Sequence, residues 1–325
     1  MKKSGQLIAA AIAALLAGMP YSSHAQETYP TRPIRILVTF SAGSQVDILA
    51  RIFGPKMYAG RGQQVLVDNR PSGGGVVASQ FVAGSNPDGY TLLMVSAGHA
   101  ASASLYSKLP YDVLRDFAGV SQVSSSPSVL TVSKDLGVKS MQDLIALAKS
   151  KPGQINFASA GVGSASHIVG EMFKYESAID IIHIPYKGAP EVLTDLMAGR
   201  VHLYFASLAA AIPFIRDGRM LALTVSTKER TPVLPNVPTM AEAGLPGFEF
   251  DQWFALLAPV KTPRPIVNQL SKEIARVLSL PEVKERMLSL SALPKPSTPE
   301  ELDAFIASEV EKLGKIVRLS GARVD

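Results

Sequence analysis

Cysteine is absent from the 325 residues. That excludes a disulfide framework, thiol chemistry, cysteine–zinc sites and a lipid-anchored N-terminal cysteine. Charged residues make up only 18% of the chain, and they never form a block of five or six basic side chains. Nucleic-acid binding needs a clustered basic surface and is therefore not expected. Past the N-terminus no segment is apolar for the roughly 20 residues that a bilayer span takes. The five histidines are dispersed; His24, His99, His167, His183 and His202 show no metal-ligand spacing. Gly161-Val162-Gly163 lacks the third glycine of a dinucleotide fingerprint, and no Gly-Lys-Ser/Thr follows either glycine loop. Gly163-Ser164-Ala165-Ser166 has no glycine two residues beyond either serine, so it is not a nucleophile elbow. No metal, cofactor or catalytic residue is expected.

The N-terminus carries Lys2 and Lys3, then an apolar run from Leu7 to Met19, then Ser23-His24-Ala25 with small residues at −3 and −1. This pattern predicts an export signal over 1–25, cleaved after Ala25, and a periplasmic protein. Losing Lys2 and Lys3 takes the basic count from 32 to 30 against 27 acids, so the formal charge falls from +5 to +3. A mild positive balance suits an anionic ligand.

About 300 residues remain, enough for one large or two ordinary domains. Apolar runs of strand length alternate with helical patterns. Strands are expected at Ile34–Phe40, Gln64–Asn69 and Tyr90–Val95, with helices at Val46–Tyr58 and Val76–Ser85 between them. The rhythm returns from Ser140 to Val225, through strands at Ile155–Ala158, Ile181–Ile184, Val201–Phe205 and Met220–Val225. Alternation of this kind predicts an α/β fold with parallel sheets flanked by helices, and two such units predict two lobes. Val120–Val132 and Phe248–Ala258 read as crossing strands. Thr231–Gly247 reads as a loop with one short helix, and the C-terminus as helices from Pro265 onward. Thr298 with Glu301 fits a capping box. The lobes are expected at 26–126 with 251–325, and at 127–250.

Ligands of open α/β sheets bind beyond the carboxyl ends of the strands. Two loops of small residues stand there: Phe40-Ser41-Ala42-Gly43-Ser44-Gln45 and Ser159-Ala160-Gly161-Val162-Gly163-Ser164. Each leads into a helix N-terminus, where free N–H groups and the positive dipole end favour an anion. One such loop in each lobe makes a carboxylate clamp a serious reading, beside the plainer one of ordinary strand-to-helix turns. Ser96, Ala97 and His99 form a third loop after a strand, and His99 either donates to a ligand or braces the loop. His167 follows the second loop, with Ser164 and Ser166 read as helix caps. His183 reads as a core residue. Asp47 would repel a carboxylate, so it reads as a cap or a partner of Arg51. Lys187 and Gly188, with Arg70, are candidate sources of positive charge or structural residues. Trp253 reads as core more readily than as a cleft wall.

Several motifs then occur in one order along the chain: Tyr29-Pro30-x-Arg32-Pro33-Ile34, Asp47-x-x-Ala50-Arg51, Val67-Asp68-Asn69-Arg70-Pro71, Asn86-Pro87-Asp88-Gly89-Tyr90-Thr91-Leu92, Ile184-Pro185-Tyr186-Lys187-Gly188, Pro235-Asn236-Val237-Pro238-Thr239 and Ala241-Glu242-Ala243-Gly244. With them the chain resembles the substrate-binding proteins of tripartite tricarboxylate transporters, the Bug family, over essentially its whole mature length. The resemblance implies a two-lobed periplasmic binding protein of the type with two crossover strands. It implies a carboxylate held in the interlobe cleft by main-chain groups and water, and membrane permease subunits as partners. The first loop here reads Ser41 to Gln45 where the family pattern is Pro-Pro-Gly-Gly-Ser. Ala206-Ser207 stand where many relatives carry Asp-Asn, which suggests room for a bulkier or aromatic carboxylate. The expected ligand-contacting set is thus Phe40 to Gln45 and Asp47, Ser96, Ala97 and His99, Ser159, Gly161 to Ser164 and His167, Lys187 and Gly188, and Ala206 and Ser207, with a monomer as the expected state. A sensor presenting the same clamp to a receptor kinase is the main alternative, a periplasmic hydrolase or an orphan binder the lesser ones.

Overall fold

Runs of five or six leucine and β-branched residues form strands here because such side chains fit a pleated surface covered on both faces. The computed structural model describes residues 29–323, so the export signal expected over 1–25 lies outside the described residues. β1 (Ile34–Val38), β2 (Val65–Asn69) and β3 (Thr91–Ser96) are parallel, in the order β2-β1-β3. α1 (Gln45–Phe53) and α2 (Val76–Ala83) connect them. Ile36, Leu37, Leu93 and Met94 are fully buried, and sealing side chains of this size contributes about 1.5–3 kcal/mol each.

A second parallel group has β5 (Ile155–Ser159) between β6 (Ile181–Pro185) and β7 (Leu203–Ser207). α4 (Met141–Ser150), α5 (Ala165–Glu176), α6 (Ala189–Met197) and α7 (Leu208–Arg216) surround it. Two long strands join the groups. β9 (Asp251–Pro259) runs antiparallel to β3, and β4 (Phe117–Val132) antiparallel to β9. Along β4 the partner changes: Phe117 to Pro127 face β9, while Ser128 to Val132 face β7. β8 (Leu221–Val225) flanks the same end of β4. Ser226 stitches the crossing together. Its Oγ accepts from the Ser128 N–H at 3.0 Å and donates to the Phe250 carbonyl at 2.6 Å.

The C-terminal helices α8 (Arg264–Leu278), α9 (Pro281–Leu288) and α10 (Pro299–Ser320) follow. The expected capping box opens α10: Thr298 Oγ1 accepts from the Glu301 N–H at 3.2 Å, and Glu301 Oε2 from the Thr298 N–H at 2.8 Å. Trp253, the only tryptophan in the chain, is core as read. It packs edge-on against Phe305 and donates from Nε1 to Glu309 Oε2 at 2.8 Å. Glu309 is itself buried. Glu309→Leu is expected to lower stability by about 1–3 kcal/mol, because it strands the indole N–H without an acceptor. Urea melts followed by the fluorescence of this single tryptophan check it.

Three local expectations are corrected. The first helix stops at Phe53 and not Tyr58, since Pro55 supplies no N–H to continue it. Thr231–Gly247 holds turns but no helix. Pro232, Pro235 and Pro238 remove donors, and Gly244, at φ +100°, closes a lone turn after Thr239. Ser96–His99 is not a loop. Gly98–Leu105 forms a helix, α3, directly after β3. Its run of Ala, Ser and Gly shows no amphipathic period, because burial on nearly all sides replaces the two-faced pattern.

Candidate functional site

The first loop, between β1 and α1, is built by one carboxylate. Asp47 Oδ2 accepts from the Gly43 N–H at 2.9 Å, while Oδ1 accepts from Arg51 Nε at 2.8 Å and Asn69 Nδ2 at 3.0 Å. Asn69 Nδ2 also reaches the Phe40 carbonyl at 3.0 Å. Gly43 takes φ +82°, a conformation a side chain would strain. Asp47 is therefore the partner of Arg51 as read, but not the N-cap, which is Ser44; from the first turn it holds the loop before the helix. Its two oxygens are spent inside the loop, which turns Ser44 and Gln45 inward.

The second loop, between β5 and α5, is built by serines and histidines. Ser164 caps α5, its Oγ accepting from the His167 N–H at 3.3 Å and lying 3.0 Å from Ser166 Oγ. Ser166 Oγ accepts from the Ala160 N–H at 3.0 Å. His167 Nδ1 accepts from the Gly163 N–H at 3.2 Å, and Ser159 Oγ from the Gly161 N–H at 3.2 Å. Ser159 Oγ lies 2.7 Å from His183 Nε2, and the two imidazoles stack at 4.1 Å. Burial lowers the His167 pKa to about 4; burial, and then the facing His167, lower that of His183 to about 3. Both rings are thus neutral near pH 7, as His167 must be to accept at Nδ1. Ser159 is fully buried and does not line the cavity described next, while His183 is half-buried.

The two loops face one another across a cavity of about 30 Å³. Phe40, Ser44, Gln45, Val46 and Ser96 line it from the β1–β3 side. Ala160, Ser164, Ala165, Ser166 and Ala189 line it from the β5–β7 side, with Tyr204, Phe205 and Ser207 of β7. Gln252 and Phe254 of β9 complete the wall. No charged side chain takes part. Ser44 Oγ, both amide atoms of Gln45, Ser207 Oγ and Gln252 Oε1 are buried yet have no hydrogen-bond partner in the protein. Buried polar groups are nearly always paired, so five open atoms gathered on one small cavity make it the candidate site for a polar occupant. Larger depressions lie elsewhere, such as the 780 Å³ groove beside Arg32 and Phe81. That groove is the more open of the two, and in it Arg32 is paired with Asp88 at 2.8 Å.

Contacts between the two sides of this cavity form its rims. On one rim Ser41 Oγ donates to the Lys187 carbonyl at 3.3 Å and lies against Gly188, while Gly43 meets Pro190. On the other, Gly74 meets Val162 and Gly163, and Gly98 meets Gly163 and Ser164. Tyr106 OH reaches the Val162 carbonyl at 3.4 Å.

Of the residues singled out from sequence, Phe40, Ser44, Gln45, Ser96, Ser164 and Ser207 come together on the cavity. Ser41, Gly43, Gly161, Val162, Gly163 and Gly188 form or support its rims, with Ala42 exposed beside them. Asp47, Ser159 and His167 brace the loops from behind. The structure does not bring the others to the cavity. Ala97 and His99 are in the core, His99 stacked on Tyr111 and edge-on to Phe117, because α3 turns the ring inward. Ala206 points into the core beneath β7, opposite to its neighbour Ser207, so it opens no extra room in the wall. The Lys187 side chain is exposed, and Arg70 pairs with Asp68 at 3.2 Å. Sequence reasoning missed Gln252. The signal was a polar residue leading into the apolar run Trp253–Ala258, two places from Phe254 and so on its face of the strand.

Residues 49–321 match the family described as tripartite tricarboxylate transporter family receptor. Protein BugT of Bordetella pertussis is 37% identical over 300 residues, which span 92% of this chain and 92% of that protein. The structure of R. palustris Rpa4515 with adipate is similar at a TM-score of 0.87 and 34% identity, covering 90% of this chain and 98% of its own. That of the periplasmic binding protein BugD is similar at 0.86 and 31%, covering 91% and 99%. These likenesses make the fold a two-lobed binding-protein fold.

Proposed function

Because this chain belongs to the tripartite tricarboxylate transporter receptor family, we propose that it captures a small carboxylate in this cavity and delivers it to the permease subunits of a tripartite transporter. The observation that carries this reading is the set of five unpartnered buried atoms on one cavity, drawn from α1, β7 and β9. Two helix N-termini, at Ser44 and Ser164, flank them, and such termini favour an anion. The relative Rpa4515 holds adipate, which supports a carboxylate as the class of cargo.

In this reading the lobes are residues 26–126 with 251–325, and residues 127–250. The change of β4 partner between Pro127 and Ser128 supports that division. The hinge is the crossing tied by Ser226. Ligand binds the loops of the open form, and the second lobe closes over it. Closure is stabilised only by ligands that bind the closed form better than the open one. A cavity of about 30 Å³ leaves space for little more than water, so the cargo must part the lobes slightly or turn side chains. The protein acts as a periplasmic monomer, after removal of its 1–25 signal, and binds without chemical turnover.

A thermal-shift series of the mature chain against aliphatic and aromatic mono-, di- and tricarboxylates tests this. One class should raise the melting temperature, equivalent to about 2.7 kcal/mol at a hundredfold excess over Kd. A folded, ligand-free protein that no acid stabilises would remove the carboxylate assignment. For the transport step, loss of cargo uptake in cells lacking the permease subunits is the expected result, and uptake unchanged by that loss counts against it.

A further inference from the structure

The open hydrogen-bonding atoms of the cavity are not all of one kind. Ser44 and Ser207 each present a hydroxyl, and Gln45 leaves both ends of its amide open. However that amide is turned, one donor and one acceptor face the cavity. Gln252 adds a second carbonyl oxygen, on β9. All four residues are at least nine-tenths buried: Ser44 is 4% exposed, Gln45 3%, Ser207 6% and Gln252 9%.

A carboxylate accepts hydrogen bonds and donates none. It can satisfy the two hydroxyls, the Gln45 N–H₂ and first-turn N–H groups. It cannot satisfy an amide oxygen, and it is repelled by one. The helix N-terminus at Ser44 has no side-chain cap and is open to one carboxylate, while that at Ser164 already has its His167 N–H taken by Ser164 Oγ; with no Lys, Arg or His on the wall, a second negative charge is the less well balanced one, and burying an unpaired charge is costly.

Resting on the carboxylate reading above, we propose that this cavity selects a monocarboxylate that also carries an uncharged hydrogen-bond donor, a hydroxyl or an amide N–H, and discriminates against acids with a second carboxylate. The donor bonds to the amide oxygens of Gln45 and Gln252. Phe40, Phe205 and Phe254 cover the apolar body between the polar groups. A site that pairs a substrate hydroxyl rejects the analogue lacking it, since the site's own polar atoms then stay buried and unpaired.

Titration calorimetry of the full mature chain at neutral pH, with two matched sets of acids, tests this. One set is hexanoate, 6-hydroxyhexanoate and adipate; the other is benzoate, 4-hydroxybenzoate and terephthalate. In the set that fits, the hydroxy acid should bind at least about tenfold tighter than its parent and tighter than the diacid. Gln45→Leu, and separately Gln252→Leu, should bring the ratio of hydroxy acid to parent toward one; two variants guard against a folding defect in either. A diacid as the tightest ligand, equal affinity for parent and hydroxy acid, or a ratio untouched by both variants would overturn the proposal and leave carboxylate binding standing. Failure of every acid in both sets and in the wider series overturns the carboxylate reading itself, and this proposal with it.

Discussion

Replacing Gly98 by alanine is expected to weaken carboxylate binding about a hundredfold while leaving the ligand-free protein folded. Gly98 opens α3 on the β1–β3 side, and its Cα faces the Gly163 backbone of the second loop, so the reading of loop closure over a ligand predicts that a side chain there opposes it. A methyl group placed there would stand 2.1 Å from the Gly163 carbonyl oxygen and 3.1 Å from Ser164 Cα. Real contacts of that kind start near 3.0 Å, so the loops must part by 3.0 − 2.1, or about 0.9 Å. The obstacle is main chain on both sides, and no rotamer change relieves it. The open form loses nothing, since alanine favours a helix over glycine by roughly 0.5–1 kcal/mol. The substitution therefore acts on the open–closed balance and not on any atom that touches the cargo. Calorimetry gives the affinity, and small-angle scattering with saturating acid shows whether compaction is lost. Affinity and compaction equal to those of the unaltered protein would mean that the Gly98–Gly163 contact does not limit closure.

Acid should destabilise the fold well above the pH at which carboxylates protonate, with His99 as a main contributor. His99 is 4% exposed, neither ring nitrogen has a partner, and burial lowers its pKa to about 4. In the unfolded chain the same ring takes a proton near 6.5. Between those values the unfolded state holds more protons, so stability falls as pH drops from 6.5 toward 4 and is fully present above 6.5. For His99 alone the loss is roughly 3 kcal/mol once pH reaches its folded pKa. His167 and His183 add losses of the same sign. Protonating His167 also turns Nδ1 from acceptor to donor, which breaks its bond to the Gly163 N–H and loosens the second loop. His99→Phe keeps an aromatic ring between Tyr111 and Phe117 and removes the titration. Denaturant melts of the two proteins should diverge below pH 6.5, the variant gaining about 2 kcal/mol relative to the parent between pH 7 and pH 5. Parallel curves would show that His99 is not a source of the acid sensitivity.

The loops and the α/β rhythm were legible in the chain because the signals behind them are local. Glycines free to take positive φ, serines before helical runs and alternating apolar periods act over a few residues. Asp47 with Arg51 one turn later, and Thr298 with Glu301, are of this kind, and both form as read. The family motifs added long-range order that spacing alone does not carry. What remained hidden depends on direction and on distance along the chain. Ala206 and Ser207 are neighbours, yet the pleat sends one into the core and the other into the cavity. His99 stood next to a strand end, where a ligand contact was plausible, until a helix without amphipathic pattern rotated its ring inward. Gln252 reaches the site only because β9 returns antiparallel between β3 and β4. By itself, then, the sequence determined the local geometry of two anion-suited turns and the kind of fold that holds them. Only the tertiary structure decided which polar atoms meet without partners and which glycines touch other loops, because those depend on strand register and loop packing, which join residues far apart in the chain.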